Sequence, residues 1–160
     1  MESLDIIYDE RLSQVFTSLG EAKEIVLSTS AGNRVTSRTV SCACNGSEVL
    51  FLSWEHHTKC RQIKENPLVA LCHNNIQIEG SAEILGNPLE SSNKKYADTF
   101  RKIQPAIFDN FSKLPGMMLV RITLTAITAW TRDAQGYRID HFDLEKKSYK
   151  SIRPTEEYSW

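Results

Sequence analysis

The sequence predicts a mainly β protein, an antiparallel, Greek-key-like barrel that is closed or nearly closed and carries a few helices. Three observations lead there. About seven apolar segments of strand length follow one another, most joined by short turns rich in Gly, Asn or Asp, which is the signal for antiparallel hairpins. Their alternation is imperfect, as in MMLVRITLTAITAWT at 117–131, so many strands are expected to be buried on both faces. Closing the sheet accounts for that burial and removes exposed edges. Finally, 160 residues without internal repeat, low-complexity segment or visible boundary suit one domain, 1–160, with a sizeable core.

The elements follow in order. Residues 4–19 place Leu4, Ile7, Leu12, Val15, Phe16 and Leu19 near helical spacing, and Gly20 is a natural stop. Strands are expected at 24–30 and 35–44, hinged at Ala31-Gly32-Asn33, and at 48–54 after Asn45-Gly46. A polar join then leads into a short helix that ends before Pro67, because the residue ahead of a proline is pushed out of helical geometry. Strands at 68–73 and 76–85 come next, followed by a helix at 88–102 using Leu89, Tyr96 and Phe100. Segment 104–116 reads as an irregular loop dense in apolar anchors, among them Ile107, Phe108, Phe111 and Leu114, which either packs locally or covers something. A long strand at 117–131 pairs with 137–142, and the tail from 146 to 160 is polar.

Composition sets outer limits. With 41% hydrophobic and 24% charged residues the chain is not a disordered one, and a formal net charge of −1 gives no support to nucleic-acid binding. Met1-Glu2-Ser3-Leu4-Asp5 lacks the cationic and apolar regions of a signal peptide, and no apolar run reaches the length of a membrane span, so a cytoplasmic protein without a membrane partner is expected. Cys42, Cys44, Cys60 and Cys72 match no usual zinc spacing, and the adjacent His56 and His57 do not easily converge on one metal; buried thiols and loop histidines are expected, with no metal site.

Several residues have chemical potential. Thr58 stands where a helix N-cap belongs and Lys59 at the first helical position. Free backbone N–H groups, a hydroxyl and an ammonium together suit a phosphate dianion. Arg38 lies mid-strand, on the side of Val40 and Cys42, so it is expected to be partly buried and to need an anion. Asn75 and Gln77 are two apart ahead of Gly80 and so share a face of a strand. Their amides donate and accept at once, as a heterocycle bearing carbonyls and ring nitrogens requires. Trp130 could pack in the core or wall a cofactor ring.

Taken as an ordered set, Arg38-Thr39-Val40, Leu52-Ser53, Thr58-Lys59, the run from Arg61 through Pro67 to Leu71, and Glu79-Gly80-Ser81-Ala82-Glu83 resemble the pyridoxamine 5′-phosphate oxidase-like, FMN-binding split-barrel family, general stress protein branch, over roughly 26–130. The resemblance implies FMN as cofactor. Arg38 and Lys59, with Thr58, would hold its phosphate; Thr39 and Val40 would line the ring with their backbone; Leu52 and Ser53 would meet the ring or ribityl chain. Asn75 or Gln77 would meet the ring edge, with Asn75 where the family carries a glutamine, and Trp130 would lie near the flavin. It also implies a homodimer with flavin in the groove between subunits, and a flavin-dependent oxidoreductase exchanging electrons with a small-molecule donor or acceptor. Two alternatives stay open: a flavin-binding stress or sensor protein with little turnover, and a related barrel binding haem or a deazaflavin. The vitamin-phosphate site of the oxidase, paired arginines around a histidine, is not matched by Arg138-Ile139-Asp140-His141, which predicts a poor pyridoxine or pyridoxamine 5′-phosphate oxidase.

Overall fold

The structure, a computed structural model, describes residues 4–154. Helix α1 (Leu4–Gly20) sets Tyr8, Val15 and Leu19 into the main core. Strands β1 (Glu24–Ala31) and β2 (Arg34–Ser41) form a hairpin whose turn residues, Gly32 and Asn33, take φ of 54° and 62°, the left-handed geometry that matches strand twist in a two-residue turn. The single strand expected at 35–44 is two. The chain breaks at Cys42, whose N–H donates to Lys23 O at 3.0 Å, and resumes as β3 (Ala43–Asn45). Pairing explains the break: β2 bonds to β1, whereas β3 bonds to β4 (Glu48–Trp54), so the chain changes partners at this corner.

Helix α2 (Thr58–Glu65) ends at Asn66, ahead of Pro67. Strands β5 (Leu68–His73) and β6 (Ile76–Gly86) follow. The helix expected over 88–102 begins only at Lys94, as α3 (Lys94–Ile103), after a 3-10 turn at Ser91–Asn93. The buried Asn93 amide ties that turn back, donating to Leu85 O at 3.0 Å and Asn87 O at 2.9 Å. The apolar segment expected to be an irregular loop contains a helix, α4 (Pro105–Phe111), started by a proline at its first position and anchored by buried Phe108. The long β7 (Met117–Asp133), β8 (Gly136–Asp143) and β9 (Ser148–Ile152) complete the fold; the last of these lies in the segment read as a polar tail, of which 155–160 fall outside the described residues.

The strands form one antiparallel sheet in the order β2-β1-β5-β6-β7-β4-β3, with β8 on β7 and β9 on β8. β7 serves three neighbours: β6 along one edge, and β4 then β8 along the other. Among the described residues no ladder joins β2 to β4, so the sheet is not closed; its two ends are linked covalently at the Cys42 corner. Leu27, Val49, Phe51, Ile78, Val120, Ile122 and Ile127 fill the interior together with Cys60 and Ile63 of α2. A second cluster lies on the outer face, where Leu50 and Leu119 pack under Phe100 and Phe108 of α3 and α4. Burial of Val49, Leu50 and Phe51 in succession is the physical source of the imperfect alternation.

At Gly80 the ladder between β6 and β7 shifts register, and a Cβ there would stand 2.7 Å from Ile122 Cγ2 and 2.9 Å from Thr123 O. Backbone cannot yield as a flexible side-chain end does. Gly80→Ala is therefore expected to destabilise the protein by about 1–3 kcal/mol, read as a lower denaturation midpoint in urea with an unchanged slope.

Candidate functional site

The ends of β2 and β4, the start of α2, helix α4 and the start of β7 converge on a cleft of ≈ 280 Å³. Thr39, Val40 and Ser41 come from β2, and Leu52, Ser53 and Trp54 from β4; Ile107, Phe111 and Met117 face them, and His57 and Lys59 stand at one end. Local pairing positions these walls. β4 and β7 are held in register up to Trp54 opposite Met117, and Glu55 N–H donates to Gly116 O at 3.0 Å, closing the corner behind them. The Trp54 ring meets Phe111 edge-to-face, centroids 6.0 Å apart, and lies 5.4 Å from the His57 ring. Much of the cleft is thus apolar and aromatic, with its polar groups coming from Thr39 and Ser41 of β2, from Ser53 and from the α2 end.

The start of α2 differs from the sequence expectation by one residue. His57, not Thr58, is the N-cap, with extended backbone and no side-chain capping bond; Thr58 is the first helical residue. The shift follows from the carbonyl of His57, which accepts from both Cys60 N–H (3.0 Å) and Arg61 N–H (3.2 Å) and so opens the helix. The N–H groups of the first turn, Thr58 and Lys59, have no carbonyl within the helix to bond. Lys59 Nζ lies 3.2 Å from His57 Nδ1. Burial draws the Lys59 pKa below the ordinary lysine value, and the nearby Arg38 adds to the effect against the opposing influence of Cys60. Burial likewise lowers the His57 pKa, reinforced by Lys59 and His56, which favours a neutral ring. Adjacent loop histidines carried no signal for this placement; only the fold brings His57 against Trp54 and Lys59.

Arg38 is half-buried, and burial lowers its pKa too. Its guanidinium donates to Leu27 O (3.2 Å), to Thr29 Oγ1 (2.8 Å) and to Thr36 Oγ1. Among the described residues neither Arg38 nor Lys59 is paired with a carboxylate, whereas the partly buried Arg121 is paired with Glu48 at 2.7 Å and the buried Arg138 with Asp140 at 2.9 Å. Two cations are thus held close together, half out of water, with their charge uncompensated.

Of the residues singled out from sequence, Thr39, Val40, Leu52, Ser53 and Lys59 come together in this cleft, with Thr58 next to Lys59 in the chain and Arg38 near enough to Lys59 to act on its charge. Asn75, Gln77 and Trp130 do not. The strand expected to carry both amides begins at Ile76, so Asn75 belongs to the preceding turn, where its carbonyl accepts from Trp130 N–H at 3.1 Å. Asn75 and Trp130 line a separate cleft between α1 and the β7–β8 hairpin, together with Arg138 and Asp140. Gln77 is exposed on the outer face of β6 beside Ser28 and Cys72. Trp54, His57, Ile107, Phe111 and Met117 were missed as site residues; the apolar density of 104–116 was the one available signal.

No protein-family model matches the chain, and no curated protein does. Solved structures do. The haem storage protein HutZ from Vibrio cholerae is 17% identical over 72% of this chain and 89% of its own, with a TM-score of 0.58. General Stress Protein 26 from Bacillus anthracis is 16% identical over 89% and 99%, TM-score 0.56. A pyridoxamine 5′-phosphate oxidase-related, FMN-binding protein from Nostoc punctiforme is 15% identical over 91% and 95%, TM-score 0.53. The chain has the fold shared by these proteins, a mostly antiparallel split barrel.

Proposed function

We propose that this chain is an FMN-binding, cytoplasmic protein of the pyridoxamine 5′-phosphate oxidase-like type, and that it works as a homodimeric oxidoreductase. The observation that carries the reading is the uncompensated pair of Lys59, at the start of α2 and lining one end of a largely apolar, aromatic cleft, and the nearby Arg38 of β2. The residues fit the group. A guanidinium, an ammonium, the Thr58 hydroxyl and the unbonded N–H groups of a helix start are donors of the kind a phosphate dianion needs. Val40, Leu52, Trp54, Ile107, Phe111 and Met117 offer a planar heterocycle an apolar slot, with Ser53 and the β2 backbone for its polar edge. Bound there, flavin supplies two-electron transfer, while the protein contributes position, exclusion of water and fixed charge.

The fold likeness to HutZ and the imidazole of His57 in an apolar cleft favour haem as the second reading, and a flavin binder with little turnover is a third. An absorption spectrum of the purified protein separates flavin from haem, and turnover with reduced nicotinamide separates enzyme from binder.

The protein is expected to purify yellow or to take up FMN in preference to riboflavin and FAD, because the end of the cleft suits a terminal dianion rather than a bridged pyrophosphate. Titration of apoprotein with the three flavins, followed by fluorescence, checks this; equal affinity for FMN and riboflavin refutes the phosphate site.

Dimerisation is supported by the outer face of β1 and β5, where Val26 is 39% and Leu68 66% exposed. It is supported too by the position of Asn75 and Trp130 outside the cleft, since they would reach a flavin there only from a second copy. Sedimentation equilibrium of the holoprotein is expected to give a dimer, and a monomer at micromolar concentration overturns the shared groove.

A further inference from the structure

Arg38 owes its orientation to a side chain on another element. Gln62 is buried in α2, three residues after Lys59. Its Oε1 accepts from Thr29 Oγ1 at 2.5 Å and from Thr36 Oγ1 at 2.6 Å. Each threonine hydroxyl has one proton, and both protons are spent on this one oxygen. The lone pairs of the two hydroxyls are thereby turned toward Arg38, which donates through Nη1 to Thr29 at 2.8 Å and through Nη2 to Thr36. The other end of the amide donates from Nε2 to Arg34 O at 3.1 Å, which fixes which end faces the hydroxyls. One neutral amide thus clamps α2 to the β1–β2 hairpin and sets the polarity of two hydroxyls that hold a guanidinium.

The neutrality matters. Where Arg121 and Arg138 are held by Glu48 and Asp140, the carboxylate cancels the charge that it orients. At Arg38 the orienting group is two hydrogen bonds removed and uncharged, so the guanidinium is fixed while its charge stays available. We infer that Gln62 is the positioning residue of an anion subsite formed by Arg38 and Lys59, and that the subsite takes a phosphate monoester dianion. The inference rests on the FMN reading above and extends it to a residue that touches no ligand.

The test compares FMN with riboflavin, which differ only in the phosphate, in two variants. Gln62→Glu keeps the shape and accepts both hydroxyl protons but places a negative charge behind Arg38. Gln62→Met keeps the length and removes the acceptor. FMN affinity is expected to fall about tenfold or more in each, with riboflavin affinity changed less than about twofold. In an Arg38→Ala background, Gln62→Met is expected to have almost no further effect on FMN, because its action runs through Arg38. Thr36→Val, at a half-exposed position, is expected to lower FMN affinity about threefold and keeps the test decisive if a Gln62 variant does not fold. Parallel losses of FMN and riboflavin, or wild-type FMN preference in the folded variants, overturn the role of Gln62 while leaving the phosphate site standing. Equal affinity of the wild-type protein for the two flavins overturns the site and this inference together.

Discussion

Lys59→Ala and Arg38→Ala are each expected to weaken FMN binding about ten- to a hundredfold while the barrel stays folded. A charge-assisted contact is worth about 1.5–3 kcal/mol; Lys59 lines the end of the cleft with Arg38 close to it, and neither has a competing carboxylate among the described residues, so the loss is not compensated from within the protein. At Lys59 stability should suffer little, because removing a half-buried cation that lacks an acidic partner relieves a desolvation cost instead of orphaning a charge, unlike the removal of Asp140 from Arg138. Arg38→Ala also withdraws donors from Leu27 O, Thr29 and Thr36 and is expected to cost about 1–3 kcal/mol. Flavin fluorescence titration and thermal denaturation, run side by side, check both halves; FMN affinity within twofold of wild type in both variants removes these residues from the site. The pH dependence has a definite sign. Lys59 titrates below the ordinary lysine value because of burial and then Arg38, so its charge is lost at lower pH than that of an exposed lysine. FMN affinity is therefore expected to fall as pH rises on the alkaline side, and Lys59→Ala to flatten that limb.

Pyridoxal 5′-phosphate formation from pyridoxine or pyridoxamine 5′-phosphate is expected to be at least about a hundredfold slower than a dedicated oxidase would require, because nothing clamps the vitamer against the flavin. Such a substrate needs a second dianion site, because on the proposed FMN reading the subsite at Lys59 is taken by the cofactor. Arg138 is the cation at the place where the resemblance would put that second site, and it is already spent. It is buried, its Nε donates to both oxygens of Asp140 at 2.9 and 3.0 Å, and its Nη1 donates to Asp133 at 3.1 Å. Asp140 is further held by the Tyr149 hydroxyl at 2.8 Å. Pulling Arg138 out of that buried set costs about 3–5 kcal/mol, more than one contact to a phosphate returns. His141 faces away from this set, sharing a hydrogen bond with Thr128 at 3.1 Å. The assay is aerobic formation of pyridoxal 5′-phosphate against a free-FMN control, and efficient saturable turnover would restore the oxidase reading.

Arg38 and Lys59 illustrate what a linear pattern carries well. A cation in mid-strand beside apolar neighbours and a lysine at a helix start are local statements, set by the two-residue period of a strand and by the unpaired N–H groups of a helix. Both were readable before any coordinates. So were the hairpin at Gly32-Asn33 and the stop before Pro67, since each depends on backbone constraints within a few residues.

Trp130, Asn75 and Gln77 mark the limit. They are local in pattern but distant in space from the Lys59 cleft, because β7 is long enough to carry its C-terminal half onto β8, away from the end that lines the cleft. The walls that do line it, Trp54, Ile107, Phe111 and Met117, had no local mark of function; apolar residues at element ends look alike until packing sorts them. The split of 35–44 at Cys42 was hidden for a related reason, since a change of pairing partner leaves the composition of a strand untouched. Sequence alone therefore determined the antiparallel class, most element positions and the cationic start of α2, through short-range dihedral and capping rules. Tertiary structure decided that the barrel is split, that α4 and Trp54 build the cleft, that Gln62 orients Arg38 and that Arg138 is neutralised, because each of these is a contact between residues that chain order does not bring together.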